Sequence, residues 1–203
     1  MPWTEIVIDA SVGRIGQRSA RVPEGYYLLE LGSLEPTPED LEAGKKPGYR
    51  LTLRIVESPD HLPNVGIGGE LPDFINMGTA NSMFPLGNLL AGFGFTEMAK
   101  QLEARSKQGN PLKLPTYQAF VALGENLAQR MVGQRTVGLI GDRTGNNGKT
   151  YSEIQGMYPP DRWAEFRRSQ VVSSPTAPQA VATANGATAS AADLFADLDS
   201  ALT

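Results

Sequence analysis

Arginines and flat aromatic rings recur together along this chain. Tyr49-Arg50-Leu51-Thr52-Leu53-Arg54-Ile55 alternates with period two. A strand there turns Tyr49, Leu51, Leu53 and Ile55 to one face and Arg50, Thr52 and Arg54 to the other. Tyr26, Phe74 and Tyr151 fall on or beside other strand-like runs, with Arg135, Arg143 and Lys149 close by. Cations that track phosphates and rings that stack on bases at about 1–3 kcal/mol each are what sequence-tolerant single-strand binding requires. Any one of these tyrosines, taken alone, reads as core or rim packing. As a set, Tyr26, Tyr49, Arg50, Arg54, Phe74, Arg135, Arg143, Lys149 and Tyr151 make the candidate surface for a nucleic acid.

Other chemistries fare worse. Gly148-Lys149-Thr150 suggests a phosphate loop, but G-x-x-x-x-G-K-[ST] places a glycine where this chain has Arg143. The residues after it, Tyr151-Ser152-Glu153-Ile154, look like strand, whereas a phosphate loop must open a helix, so the reading is a hairpin turn. His61 is the single histidine, in the loop-like Ser58-Pro59-Asp60-His61-Leu62-Pro63, and there is no cysteine. That leaves no thiolate metal site, disulfide or thiol nucleophile, and a surface role for His61. No G-x-S-x-G elbow is present, and Asp73, Asp142 and Glu153 are too dispersed to nominate a carboxylate pair. The expectation is a non-enzyme without a cofactor.

The elements that must position the surface follow from turn residues and periodicity. Ile6-Val7-Ile8 reads as a short strand, and Tyr26 to Leu31 as another, launched by Pro23-Glu24-Gly25. Glu35 to Pro47 reads as a long solvated loop. Val65 to Met77, with Gly66, Gly68, Gly69 and Pro72, reads as a bent or bulged strand. Met83, Phe84, Leu86, Leu89 and Leu90 lie near helical spacing. Phe120, Val121, Leu123, Leu127 and Met131 form the stripe of a helix from Thr116 to about Met131. Arg135–Ile140 and Lys149–Tyr158 close the body as a hairpin, and Trp163 and Phe166 mark a short helix. Strands, then helices, then a hairpin exclude regular βαβ alternation. The expected fold is mainly β with inserted helices: an OB-fold-like five-stranded barrel with helices between its third and fourth strands, an open α+β sheet being the competing solution.

From Gln170 onward the chain changes character. It has no Lys or Arg, runs through Ser, Pro, Ala, Thr and Gly, and closes on Asp193-Leu194-Phe195-Ala196-Asp197-Leu198-Asp199-Ser200-Ala201-Leu202-Thr203. Such composition does not recover the entropy of ordering, so residues 170–203 are expected to be a flexible linker with an acidic tip, and residues 1–169 one folded domain. Asp193, Leu194, Phe195, Asp197, Leu198 and Asp199 are the candidate partner-binding residues. Of the 22 acids three lie in this tail, while all 18 Lys and Arg precede it, so the net charge of −4 overstates how acidic the body is. No apolar run reaches the roughly 18 residues that span a bilayer, so no membrane partner is expected.

The body resembles bacteriophage single-stranded-DNA-binding proteins of the OB-fold type. The likeness is carried by Pro23-Glu24-Gly25-Tyr26-Tyr27 and by Gly48-Tyr49-Arg50-Leu51-Thr52-Leu53-Arg54-Ile55-Val56. It continues through Ile75-Asn76-Met77 to Asn88-Leu89-Leu90 and through Met131-Val132-Gly133-Gln134-Arg135-Thr136-Val137, and ends with Asn146 to Tyr158. The tail is similar in kind to the acidic, Phe-containing tips of bacterial and phage single-strand binders, though less acidic and without their Pro-Phe ending. The resemblance implies non-sequence-specific binding of single-stranded DNA in phage replication, recombination or repair. It also implies a location in the host cell cytoplasm and recruitment of replication or recombination proteins through the tail. A homo-oligomer is left open. The alternative is a virion or scaffold-type structural protein whose tail docks an assembly partner.

Overall fold

In a computed structural model, residues 6–8, 22–40, 45, 47–77, 83–109, 112–144, 148 and 150–169 are described. The elements run β1 (Ile6–Ile8), β2 (Gly25–Pro36), β3 (Gly48–Glu57), β4 (Glu70–Asn76), α1 (Met83–Gly92), α2 (Thr96–Lys107) and β5 (Leu112–Leu114). They continue with α3 (Tyr117–Met131), β6 (Arg135–Thr144), β7 (Thr150–Tyr158), a 3-10 turn at Pro160–Arg162 and α4 (Trp163–Phe166). The strands expected at 26–31, 49–55, 135–140 and 149–158 all form, most of them longer than their apolar cores. The acidic tip and linker, 170–203, lie outside the described residues, as does Lys149.

Five strands make one open antiparallel sheet in the order β4-β3-β2-β6-β7, so β4 and β7 are its two edges; β1 and β5 pair separately. The protein is thus mainly β with a few helices, and α1, α2 and α3 lie in sequence between the third and fourth strands of the sheet. Alternation works as the residues dictate. Tyr49, Leu51, Leu53 and Ile55 are buried, while Arg50 and Arg54 are exposed and Thr52 half-buried. The buried face of β3 joins Tyr27, Leu29 and Leu31 of β2, Leu71 and Ile75 of β4, and the stripe Phe120, Leu123, Leu127 and Met131 of α3 in one core. Irregularities at Leu31/Ser33 in the β2–β3 register and at Leu139/Ile140 in the β6–β7 register leave Gly32 and Gln155 without strand partners. Such bulges bend a strand and strengthen its local twist.

Three features differ from the expectations. Residues 65–69 are turns, not strand, because Asn64, Gly66 and Gly68 all take positive φ, which no strand accommodates; β4 starts only at Glu70. The segment after Phe95 holds a full helix, α2, whose Met98 and Leu102 anchor an otherwise polar surface, so its apolar stripe is too narrow to stand out. β2 continues to Pro36, shortening the β2–β3 loop. From Thr150 the chain is strand β7, not the helix that a phosphate loop must open.

The sheet is covered on its other face too, but only over β2, β6 and β7. There Leu28, Val137, Trp163 and Phe166 form a second buried cluster with Tyr26 and Tyr158 at its margin. The Trp163 indole N–H donates to Glu57 at 2.8 Å, and Arg167 meets Asp60 at 2.9 Å, pinning the last helix to the start of the β3–β4 connection. Apart from Glu57 at the end of β3, the outward faces of β3 and β4 remain uncovered by any described element and become the place to look for a ligand.

Candidate nucleic-acid interface

Register places the charged residues of this face in rows. Arg54 stands opposite Glu70 of β4 and Glu30 of β2, and Glu30 in turn stands opposite Arg135 of β6. Glu70, Arg54, Glu30 and Arg135 therefore alternate in sign across four strands, and Arg135 reaches Glu30 at 3.7 Å. Opposite charges facing one another across strands contribute roughly 0.2–1 kcal/mol each to the sheet, so this row has a sufficient structural role. Two rows away, Arg50 lies between Glu35 of β2 and Phe74 of β4. Among the described residues Arg50 forms no ion pair, and Phe74 is half-exposed beside it. The Phe74 ring lies over Gly48: a Cβ there would come within 2.4 Å of the ring's Cζ and 2.2 Å of the Ile75 carbonyl oxygen. A bare glycine leaves room for this half-exposed ring, which stands opposite Arg50 in the register.

At the far edge, Arg143 and Tyr151 face each other across β6 and β7. The Arg143 Nη1 donates to Glu153 at 2.9 Å, with the carboxylate almost wholly buried and the guanidinium about half-exposed. Arg143 thus presents only part of its charge outward, next to a half-buried Tyr151.

Two of the expected stacking residues are committed elsewhere. Tyr49 is fully buried, its hydroxyl donating to the Phe120 carbonyl at 2.7 Å and its ring stacked on Phe120 with centroids 4.7 Å apart. Burial pushes the Tyr49 hydroxyl well above its ordinary pKa. It belongs to the core because strand alternation puts it in phase with Leu51 and Leu53, so it offers no face to a base. Tyr26 is half-buried, with its ring stacked on Phe166 at 4.3 Å and edge-on to Tyr158 at 6.0 Å. Arg162 caps the other ring of that pair, 4.4 Å from the Phe166 centroid. The α4 segment therefore occupies the stacking position Tyr26 would otherwise offer. Of the nine expected contact residues, Arg50 and Phe74 stand opposite each other in the β3–β4 register, Arg143 and Tyr151 opposite each other in the β6–β7 register, and Arg54 and Arg135 are parts of the charge row. His61 lies in an exposed turn.

One group went unrecognised in the sequence. Asp73 is almost completely buried; its Oδ1 accepts from the Phe74 amide at 2.7 Å, while its Oδ2 has no partner among the described residues. Burial, reinforced by the charge of Glu153, raises its pKa to about 7. The signal was available, since Asp73 shares the inward phase of Leu71 and Ile75 on β4.

Among the described residues there is no group of three or more side chains able to hold a metal ion, and no helix is long and apolar enough to cross a membrane. Comparison with protein-family models and with curated proteins found no match to this chain.

Proposed function

We propose that the protein is a non-sequence-specific single-stranded-DNA-binding protein of phage replication, recombination or repair, built on an OB-type body. The observation that carries this reading is the Arg50–Phe74 pair on the uncovered face of β3 and β4. A stacking ring beside a guanidinium that has no ion partner among the described residues supplies both components of single-strand binding. The strand order lends support. Numbered within the sheet, β4-β3-β2-β6-β7 runs third, second, first, fourth, fifth, with the helices after the third strand. OB-folds bind oligonucleotides on the face of their second and third strands, flanked by the first and last hairpin loops. Here those strands are β3 and β4, and the last hairpin carries Arg143 and Tyr151 at its tip. The acidic C-terminal tip, through Phe195 and its flanking acids, is the docking element for a replication or recombination protein on this reading.

The sign-alternating row favours a second reading, a virion or scaffold protein, because a sheet face of balanced charge also suits a protein neighbour. Oligonucleotide binding separates the two. Anisotropy of a labelled single strand of about 30 nucleotides should rise on titration at low salt, and the response should weaken in the Arg50→Ala and Phe74→Ala proteins. An unchanged signal across the titration removes the DNA reading and leaves the assembly reading.

A further inference from the structure

The covered part of the sheet lies on the same face as the Arg50–Phe74 pair. On β2 the core takes Tyr27, Leu29 and Leu31, so Tyr26, Leu28 and Glu30 share the opposite face. Glu30 belongs to the charge row. One step along the strands from that row, Leu28 stands opposite Val137 of β6 and Glu57 of β3. There the Pro160–Arg162 turn and α4 cover the sheet, with Trp163 and Phe166 buried in a cluster separate from the main core. Arg50 and Glu57 lie on one strand, roughly 23 Å apart at the usual rise of a strand.

Within that cluster the Phe166 ring is held much as a base would be. It stacks on Tyr26 with centroids 4.3 Å apart and planes 19° from parallel, and it meets Tyr158 at 4.9 Å and 51°. The two tyrosines are placed by the sheet itself. Tyr26 pairs with Leu139 and Tyr158 with Val137, and the Thr136 hydroxyl donates to the Tyr158 carbonyl at 3.1 Å. Two rings fixed on strands thus make a socket, and one ring from outside the sheet fills it. The filling is tied less firmly than the socket. Trp163 is anchored through its indole N–H to Glu57 at 2.8 Å. Beyond it the polar ties run to Asp60: the Arg167 guanidinium meets its carboxylate at 2.9 Å, and its amide donates to the Arg167 carbonyl at 2.8 Å. Both of those side chains are nearly half-exposed.

We propose that Phe166 is a removable plug in a second base-stacking socket: a base of the single strand that meets Arg50 and Phe74 displaces it and stacks on Tyr26 beside Tyr158, while Trp163 stays in place as the hinge. The inference rests on the function proposed above. The exchange is like for like. A base offers Tyr26 the flat face that Phe166 offers now. A phosphate offers Arg162 an anion in place of Glu165, which it now grips at 2.9 and 3.1 Å, and offers Arg167 one in place of Asp60. The carboxylates left behind are exposed, so neither is stranded in the core. Helix ends are the places where local opening costs least, and Phe166 is the last residue of α4. A strand that uses the socket binds more weakly by the fraction of time the plug is open, and removing the plug restores that fraction.

Anisotropy titrations of a labelled thymine strand of about 30 nucleotides test the plug, using the full-chain wild type, Arg50→Ala, Phe166→Ala and Tyr26→Ala/Phe166→Ala. Phe166→Ala should bind several-fold more tightly than the wild type, and the double variant should lose that gain. An affinity unchanged or lowered in Phe166→Ala is what a purely structural Phe166 gives, and it overturns the proposal. So does a gain that survives the loss of Tyr26. Amide exchange in the wild type gives a second reading and decides the matter if Phe166→Ala does not fold. On saturation with the same strand, protection of the Asp60 amide should fall by about ten-fold or more, while the Trp163 indole N–H keeps its protection. Unchanged protection at Asp60 overturns the plug. If neither the wild type nor Phe166→Ala binds the strand, the DNA reading falls and the socket with it. If the wild type binds, Arg50→Ala weakens that binding and Phe166→Ala gains nothing, the DNA reading stands and the socket alone falls.

Discussion

Two glycines in helices of this protein should respond oppositely to the same substitution. Gly124 lies in α3 against the Tyr49 ring, where an added Cβ would come within 2.6 Å of Cε1 and 3.1 Å of Cδ1. That ring has no room to retreat, since it stacks on Phe120 at 4.7 Å and its hydroxyl is fixed by the Phe120 carbonyl at 2.7 Å. Gly87 lies in α1 with no atom of the described residues within 4 Å of the position its Cβ would take. Replacing glycine by alanine inside a helix gains about 1 kcal/mol of propensity at either place. At Gly124 the gain is opposed by overpacking of a filled core, which costs about 1–3 kcal/mol. The added atom meets a fully buried ring and not the end of a flexible chain, so the upper part of that range applies. Gly124→Ala should therefore destabilise by about 1–2 kcal/mol, and Gly87→Ala should stabilise by about 0.5–1 kcal/mol. Urea midpoints at constant slope measure both. If Gly124→Ala is as stable as the wild type or more so, α3 does not rest on Tyr49 as described, and the assignment of Tyr49 to the core fails with it.

Tyr49→Phe should cost about 1 kcal/mol, one buried hydrogen bond, and leave oligonucleotide affinity unchanged, as parallel unfolding and binding titrations would show. Arg50→Ala should weaken single-strand binding several-fold and reduce the salt slope by about 0.7, whereas Arg54→Ala, within the charge row, should change both far less. Equal losses in the two variants would mean that the row belongs to the interface. Removing residues 190–203 deletes Asp193, Asp197 and Asp199, the tail's only charged side chains, and should tighten binding by about a few-fold at low salt. The gain should shrink as salt rises, because tethered acids competing for a basic surface are screened.

Much of the sheet was legible because its strands carry their own phase. Tyr49 to Ile55 reads as a strand with arginines outward whatever surrounds it, and Thr116 announces α3 by capping it, accepting from the Ala119 amide at 3.1 Å. What local pattern does not encode is pairing. Nothing in Arg54 or Arg135 reveals that Glu30 will stand between them, so the two read as free cations until register makes them a row. Tyr26 looked available for the same reason: Phe166, which covers it, is 140 residues away in the chain. Asp73 was readable by phase, yet nothing local to it reveals that burial leaves its Oδ2 without a partner among the described residues and so raises its pKa.

The central claim is best tested by titrating a labelled single strand of about 30 nucleotides, and its duplex, at two salt concentrations. Labelling the DNA is preferable to following protein fluorescence, because Trp163 is buried and bonded to Glu57 on the covered face of the sheet. The account predicts preference for the single strand, little dependence on base sequence, and affinity falling with salt by about 0.7 log unit per phosphate neutralised. Equal affinity for both forms, or no binding at low salt, would contradict it.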